Sequence, residues 1–145
     1  MKISGSYTLA VPQEQAYKMM QDPEVLARAM PGCETLEKIG ENEYRMKMKM
    51  VLASLSGVFD GKVRIADQNP PESFRLIVEG SGRPGFIKGD GLLKLSPSAT
   101  GGTDVAYDGD VQVGGTIAAV GQRLLDGTAK ILIKKFFEKL TAHAA

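Results

Sequence analysis

The chain has 145 residues, of which 43% are hydrophobic and 24% are charged, and its formal net charge at neutral pH is +1. These values predict one globular domain over residues 1–145, with a core large enough to fold without disulfides or structural metals. The near-neutral charge and the lack of an aromatic-plus-basic signature exclude nucleic acid as an expected partner.

The first part of the chain predicts a strand followed by two short helices. Residues 2–11 alternate between apolar and polar side chains, which indicates a strand. The apolar residues of segment 13–21 follow helical spacing and indicate a first short helix. Asp22 then supplies an N-cap and Pro23 a first helical residue for a second short helix, which ends at Pro31.

The middle of the chain, residues 33–113, predicts about six further strands. Apolar residues occupy every second position, and clusters rich in glycine, proline, asparagine and aspartate separate the segments. Short connections favour an antiparallel sheet with one apolar and one charged face. Glycines at four inward-facing positions, Gly61, Gly89, Gly91 and Gly109, indicate strong curvature. The space under such a sheet is either hollow or fully packed, and periodicity leaves both interpretations open.

The last segment, residues 114–145, predicts one long amphipathic helix. Thr116 is the expected N-cap, and apolar residues recur from there at steps of three and four. Gly121 falls inside this predicted helix, at a cost of about 1 kcal/mol relative to alanine, which suggests that another backbone approaches closely. A helix of about 25 residues is almost 40 Å long and would cross a small domain. We therefore predict an α+β fold, with the sheet covering the apolar face of this helix.

The sequence offers few groups for catalysis. His143, the only histidine, lies near the C-terminal end, and Cys33, the only cysteine, has no histidine near it. No spacing of histidine, cysteine and carboxylates suggests a metal site. We therefore expect a non-enzymatic protein with no catalytic residues, no cofactor and no metal. A cyclase- or dehydratase-like enzyme, in which Tyr107 or Arg83 polarises a substrate, is the less favoured alternative.

Cysteine usage and the N-terminal segment predict a cytoplasmic protein. A single cysteine cannot form an internal disulfide and suits a reducing compartment. The first residues lack the apolar core of a signal peptide, and no run approaches the roughly 18 apolar residues of a membrane span. Peripheral contact with the inner face of a membrane is compatible with these features.

Several motifs resemble those of the CoxG family of carbon monoxide dehydrogenase. They are Asp22-Pro23-Glu24-Val25-Leu26, Pro31-Gly32-Cys33-Glu34, Gly57-Val58-Phe59-Asp60-Gly61 and Gly121-Gln122-Arg123-Leu124-Leu125. The resemblance runs from the first strand to the last helix, and the family belongs to the START-like, helix-grip superfamily. It implies a curved antiparallel sheet of about seven strands wrapped around a long C-terminal helix, with two short helices after the first strand.

The resemblance also implies a function. Members of the superfamily hold apolar molecules between sheet and helix, and the CoxG family is associated with a molybdenum–copper carbon monoxide dehydrogenase, in its maturation or its coupling to membrane and quinone. We therefore expect a lipid or a respiratory quinone as the ligand. The expected cavity wall consists of Met30, Met48, Met50, Phe59, Phe74, Phe86, Tyr107, Ile117, Gly121, Leu124, Leu125 and Leu132.

A second hypothesis is an assembly factor with a packed core. Such a protein would recruit the dehydrogenase through its surface, and the sequence offers an outward-facing stripe of positive charge at Arg45, Lys47 and Lys49. A solvated strand face is the simpler explanation of this stripe.

Overall fold

The structure is a computed structural model that describes residues 1–52 and 55–144, with side chains for residues 1–50 and 57–142. Its described part contains seven strands and three α-helices, which confirms the predicted α+β class. The strands are β1 (Lys2–Leu9), β2 (Cys33–Gly40), β3 (Glu43–Leu52), β4 (Leu55–Asn69), β5 (Ser73–Gly82), β6 (Gly85–Pro97) and β7 (Thr103–Gly114). The helices are α1 (Gln13–Gln21), α2 (Pro23–Ala29) and α3 (Gln122–Ala144), and a 3₁₀ helix covers Thr116–Val120.

The strands form one antiparallel sheet in the order β1-β7-β6-β5-β4-β3-β2. Consecutive strands from β2 to β7 are neighbours, as short connections favour. β1 instead pairs with β7, so α1 and α2 carry the chain from one edge of the sheet to the other. The register places Gly91 of β6 between Leu76 of β5 and Gly109 of β7. This register decides which side chains stand beneath α3.

The predicted start of α2 is confirmed. The Asp22 carboxylate accepts a hydrogen bond from the backbone N–H of Glu24 at 2.9 Å, and Pro23 occupies the first helical position. Asp22 thereby satisfies one of the amides that a helix start leaves without an intrahelical partner. The inner face of α2 is buried, so the cap also positions part of the core.

The predicted long C-terminal helix is confirmed, but its predicted start just after Thr116 is wrong, because α3 begins at Gln122. The chain first forms the 3₁₀ helix, in which Thr116 is the first residue rather than the N-cap of a long helix. It then turns at Gly121, whose φ of 99° lies in a region that favours glycine. Within the described residues no atom lies within 4 Å of the position of a Gly121 Cβ, so the predicted close approach is also wrong. Backbone conformation explains this glycine.

The glycine-rich segment from Gly80 to Gly85 is mostly strand. β5 continues to Gly82 and β6 begins at Gly85, so only Arg83 and Pro84 connect them. A side chain at Gly82 would overlap the backbone carbonyl of Val58 on β4. The glycine therefore permits a close approach of two strands instead of marking a loop.

The core is packed mainly at one end of the interface between sheet and helices. There α1, α2 and the C-terminal part of α3 cover the sheet, and large side chains such as Phe74, Met20 and Leu140 are almost completely buried. A smaller cluster forms around Phe59 and Ile117 at the opposite end. The space between the two clusters holds the candidate site. No helix in the described part of the chain has the length and apolarity that a membrane span requires.

Candidate functional site

A cavity of about 310 Å³ lies between the inner face of the sheet and α3. Its volume falls at the lower end of the range of small-molecule sites in proteins. The sheet side is formed by β1, β3, β5, β6 and β7, and the helix side by α3. The lining residues are Ile3, Met30, Pro31, Met46, Met48, Leu76, Val78, Ile87, Gly89, Asp90, Gly91, Leu93, Tyr107, Asp108, Gly109, Asp110, Val111, Ala129, Leu132, Ile133, Phe136 and Phe137.

Glycines on β6 keep this part of the interface empty. A Cβ at Gly89 would meet only a Val111 methyl group, at 3.8 Å, and a Cβ at Gly91 would meet only backbone atoms, at 3.7 and 3.8 Å. Both are ordinary van der Waals distances, so the fold accepts larger residues at these positions. Gly109 differs, because a Cβ there would lie 2.9 Å from the carbonyl oxygen of Asp90. The backbone therefore requires glycine at Gly109 but not at Gly89 or Gly91, where the missing side chains leave the cavity empty.

Methionines form the wall beside α2 and β3. Met46 is buried, while Met30 and Met48 are half-buried and border the cavity together with it. The unbranched, polarisable methionine side chain adapts to differently shaped apolar partners. This wall can therefore adjust to a ligand at low cost.

Aromatic rings stand at the side of the cavity that faces β1, where Tyr107 and Phe137 line the cavity and Tyr7 packs against both. Tyr7 stacks on Phe137 with ring centroids 4.5 Å apart, and Tyr107 lies 6.2 Å from Phe137 and 6.4 Å from Tyr7. Gly5 leaves room for the Tyr107 hydroxyl, which a Cβ at that position would overlap. Burial, with a smaller effect of Tyr7, raises the pKa of Tyr107 above its ordinary value. Among the described residues this hydroxyl has no hydrogen-bond partner.

The aspartates at the cavity floor alternate along β6 and β7 with the inward-facing residues, so their carboxylates lie on the other face of the sheet. Asp90 forms an ion pair with Arg75, and Asp110 pairs with the N-terminal ammonium at 3.2 Å and with Lys2 at 3.4 Å. These contacts, led by the hydrogen bond from the N-terminus, hold the pKa of Asp110 below its usual value. The cavity itself therefore offers almost purely apolar surface.

Four of the twelve predicted wall residues, Met30, Met48, Tyr107 and Leu132, line this cavity. Another four lie together beyond Ile87 in the smaller cluster: Met50, Phe59, Ile117 and Leu125. Whether any of these eight binds a ligand stays a prediction.

The remaining four predicted residues lie apart from the cavity. Phe74 is fully buried in the packed core, where its ring meets that of Tyr17 edge-on at 5.6 Å. Phe86 and Leu124 are exposed large hydrophobic residues, and Gly121 is exposed at the turn before α3. Phe86 points to the outer face because it is one position out of phase with the inward-facing Ile87.

The sequence interpretation missed much of the cavity wall. On the sheet it omitted Leu76, Val78, Ile87, Gly89, Gly91, Gly109 and Val111. Strand alternation had placed all of these on the inner face, so that signal alone could have found them. On α3 it omitted Ala129, Ile133, Phe136 and Phe137. The predicted inner face of the helix contained Leu132 and Phe136 but not Ala129, Ile133 or Phe137, so it was only partly in phase with the side of α3 that borders the cavity.

The structure describes no constellation suited to catalysis or metal binding. Cys33 is half-buried, and burial raises the pKa of its thiol, which disfavours the reactive thiolate. No group of three or more His, Cys, Asp or Glu side chains in the described residues is arranged to hold a metal ion. The side chain of His143 lies outside the described residues.

Comparison with known proteins places these features in a family. The sequence model of the CoxG family, the G subunits of carbon monoxide dehydrogenase, matches residues 5–145. A conserved protein from Geobacillus kaustophilus is 35% identical in sequence and superposes with a TM-score of 0.94, over 99% of this chain and 94% of that one. A START superfamily protein from Mycobacterium smegmatis has a TM-score of 0.73 at 15% identity, over 98% and 95% of the two chains. No curated protein sequence gives a significant match.

Proposed function

This chain belongs to the CoxG family of carbon monoxide dehydrogenase, and on that premise we propose that it carries an apolar ligand for a molybdenum–copper enzyme of that kind. The family and the START-like fold together suggest a ligand-binding accessory protein. The nature of the ligand, the dehydrogenase partner and the cytoplasmic location, with contact at the inner membrane face, are the finer parts of the proposal.

The observation that carries the proposal is the cavity over the glycines of β6. Gly89 and Gly91 leave space where larger residues would fit, and the surrounding side chains are apolar or adaptable. An alkyl or isoprenoid chain placed there would gain about 25 cal/mol for each Å² of apolar surface removed from water. A lipid or a respiratory quinone has such a chain, and neither needs a charged anchor inside the cavity.

The same geometry supports binding without catalysis. Among the described residues, Tyr107 is the one acid–base side chain with its ring in the cavity wall, and its raised pKa keeps it protonated at neutral pH. Arg83, the other residue considered for substrate polarisation, is exposed in the connection between β5 and β6. General acid–base catalysis works best with a group whose pKa lies near the working pH. The cyclase-like alternative therefore has no support from these two residues.

The test is a variant that fills the cavity, Gly89→Leu. Displacement of the neutral fluorescent probe N-phenyl-1-naphthylamine by a short-chain ubiquinone and by a phospholipid would measure binding. We expect roughly tenfold weaker binding of probe and competitors, because the new side chain occupies the space of a ligand. Folding should be retained, since the Cβ meets no close neighbour.

Gly40→Leu is the matched control for this test. It adds the same side chain at another strand glycine where a Cβ would make only ordinary contacts with Glu43, away from the cavity. Binding in this variant should equal that of the parent chain. Unchanged binding in Gly89→Leu, with the fold intact, would refute the carrier proposal.

One observation favours the assembly factor as a second candidate. Arg45, Lys47 and Lys49 are all exposed on the outer face of β3. Arg45 stands opposite Glu37 of β2 and Lys47 opposite Asp60 of β4, but none of the three cations forms a salt bridge with another described residue. Such a stripe could dock on an acidic partner surface. Charge reversal of all three residues should abolish a salt-sensitive pull-down of the dehydrogenase. If that interaction depends on the stripe while no apolar ligand binds, the assembly factor replaces the carrier.

A further inference from the structure

A second groove, of about 340 Å³, lies between the edge strand β1 and α3. Its lining residues are Ser4, Gly5, Ser6, Tyr7, Tyr107, Lys130, Ile131 and Lys134. One wall is therefore aromatic, and the other is a helix face with two cations around an apolar residue. Ile131 is 56% exposed, more than any other large hydrophobic side chain that the structure describes. The groove is amphipathic, in contrast to the apolar cavity.

The groove and the cavity share Tyr107 as a common wall. Tyr107 lines both spaces, and the α3 residues that border them alternate around the helix, with Lys130 and Lys134 on the groove side and Ala129 and Ile133 on the cavity side. Among the described residues, Tyr107 is the one side chain that borders both spaces. A ligand that extends past the Tyr107 ring would have its tail in the cavity and its other end beside the lysines.

The charges around the groove favour an anion. Lys130 and Lys134 lie one helical turn apart, so their ammonium groups can reach the same ligand. No acidic residue is among the described residues that line the groove. Lys134 forms a salt bridge with Glu138 at 3.9 Å, and both side chains of this pair are exposed. An exposed pair at that distance contributes little stabilisation and leaves Lys134 available to a ligand.

We propose that the groove between β1 and α3 binds the anionic head group of the ligand whose tail occupies the cavity. The ligand class is then an amphiphile with a carboxylate or phosphate head, preferred over a neutral molecule of the same chain length. Lys130 and Lys134 would pair with the head group, and the Tyr107 hydroxyl, which has no protein partner among the described residues, would donate a hydrogen bond to it. This inference rests on the proposed carrier function and selects the lipid of its two ligands, because a quinone has no anionic head group.

The experiment compares dodecanoic acid with 1-dodecanol in displacement of N-phenyl-1-naphthylamine from the full chain, at a pH where the acid is ionised. We expect the acid to bind roughly tenfold more tightly than the alcohol at low salt, and the difference to shrink at high salt. The double variant Lys130→Glu/Lys134→Glu should lose this preference while its affinity for the alcohol stays unchanged.

Lys38→Glu/Lys94→Glu is the matched control. It changes the net charge by the same amount at two exposed strand positions that line neither the groove nor the cavity. The preference for the acid should survive in this variant. An equal loss in both double variants would show a general charge effect and overturn the head-group site.

The remaining outcomes separate this inference from the carrier proposal. Equal binding of acid and alcohol, with no effect of Lys130→Glu/Lys134→Glu, would overturn the head-group site and leave the carrier intact. Failure of both molecules to bind would overturn the inference, and the carrier proposal would fall with it only if the short-chain ubiquinone and the phospholipid also failed to displace the probe. Competition by inorganic phosphate or acetate at millimolar concentration, without any effect on the alcohol, would identify a site for free anions and contradict the link to the cavity.

Discussion

The packed end of the interface between sheet and α3 and the hollow region next to it are built on the same strands yet differ in what fills them. The hollow region, called the hollow end below, lies between the packed end and the smaller cluster around Phe59 and Ile117. On β6 the inward positions are Leu93 and Leu95 at the packed end, both buried, and Gly89 and Gly91 at the hollow end. α3 covers the two ends as one continuous helix. The cavity therefore needs no separate structural element, because side-chain size at equivalent inward positions decides whether the interface is core or site.

The difference has an energetic meaning. Protein interiors are packed about as densely as organic crystals, and unfilled apolar volume forfeits contacts that larger side chains would make. The packed end, closed by α1 and α2, supplies most of the buried apolar surface. We infer that it sustains the fold while the hollow end is free to serve a ligand.

The largest expected effect comes from breaking the packed end. Phe74→Ala should lower the free energy of unfolding by about 3–5 kcal/mol, because it removes a fully buried ring and leaves a cavity against Tyr17. Leu132→Ala at the hollow end should cost only about 1–1.5 kcal/mol, since Leu132 is half-buried and already borders empty volume. Urea unfolding of both variants measures the difference. Equal losses would contradict the distinction between the two ends.

A smaller effect of opposite sign should follow from partly filling the hollow end. Gly91→Ala should raise the free energy of unfolding by about 0.4–1 kcal/mol, because it restricts the unfolded chain and its Cβ meets only ordinary contacts. The cross-strand partner provides the control. Gly109→Ala should destabilise the fold, since its Cβ would lie 2.9 Å from the Asp90 carbonyl oxygen. Thermal unfolding of both variants measures the two changes in the free energy of unfolding. Changes of the same sign would contradict this account of the cavity floor.

The smallest expected effect concerns one tyrosine at each end. Burial raises the pKa of both Tyr17 and Tyr107 above the ordinary value of 10.0. At Tyr17 a backbone hydrogen bond with Asn69 lowers the pKa and so offsets part of this rise. The stabilisation linked to these shifts is full below pH 10 and is lost as the pH rises through the folded-state pKa values. In a spectroscopic titration an apolar ligand should raise the pKa of Tyr107 further and leave that of Tyr17 unchanged.

Single-tyrosine variants assign the two titrations. Tyr107→Phe should remove the titration step that the ligand shifts, and Tyr17→Phe should remove the step assigned to Tyr17, which the ligand leaves unchanged. A ligand that shifts the titration of Tyr17 as strongly as that of Tyr107 would place the binding site at the packed end instead.

Most of the sheet could be predicted because each strand carries its own evidence. Alternation assigns Leu76, Val78, Ile87 and Val111 to the inner face from local sequence alone, and the structure places all four there. The cavity wall could not be predicted as well. Phe59 and Met48 are direct cross-strand partners with the same inward phase, yet Met48 borders the cavity and Phe59 packs under Ile117.

Local sequence determined the α+β class, the strands with their inner faces and the cap of α2, because hydrophobic period and capping chemistry act over a few residues. Only the tertiary structure decided where the last helix begins and which side chains of its inner face border the cavity. The physical reason is the turn at Gly121, whose backbone conformation separates the 3₁₀ helix from α3 although the helical spacing of apolar residues continues across it in the sequence. It also decided which inward positions surround empty volume, because that depends on side chains brought together from distant strands and α3.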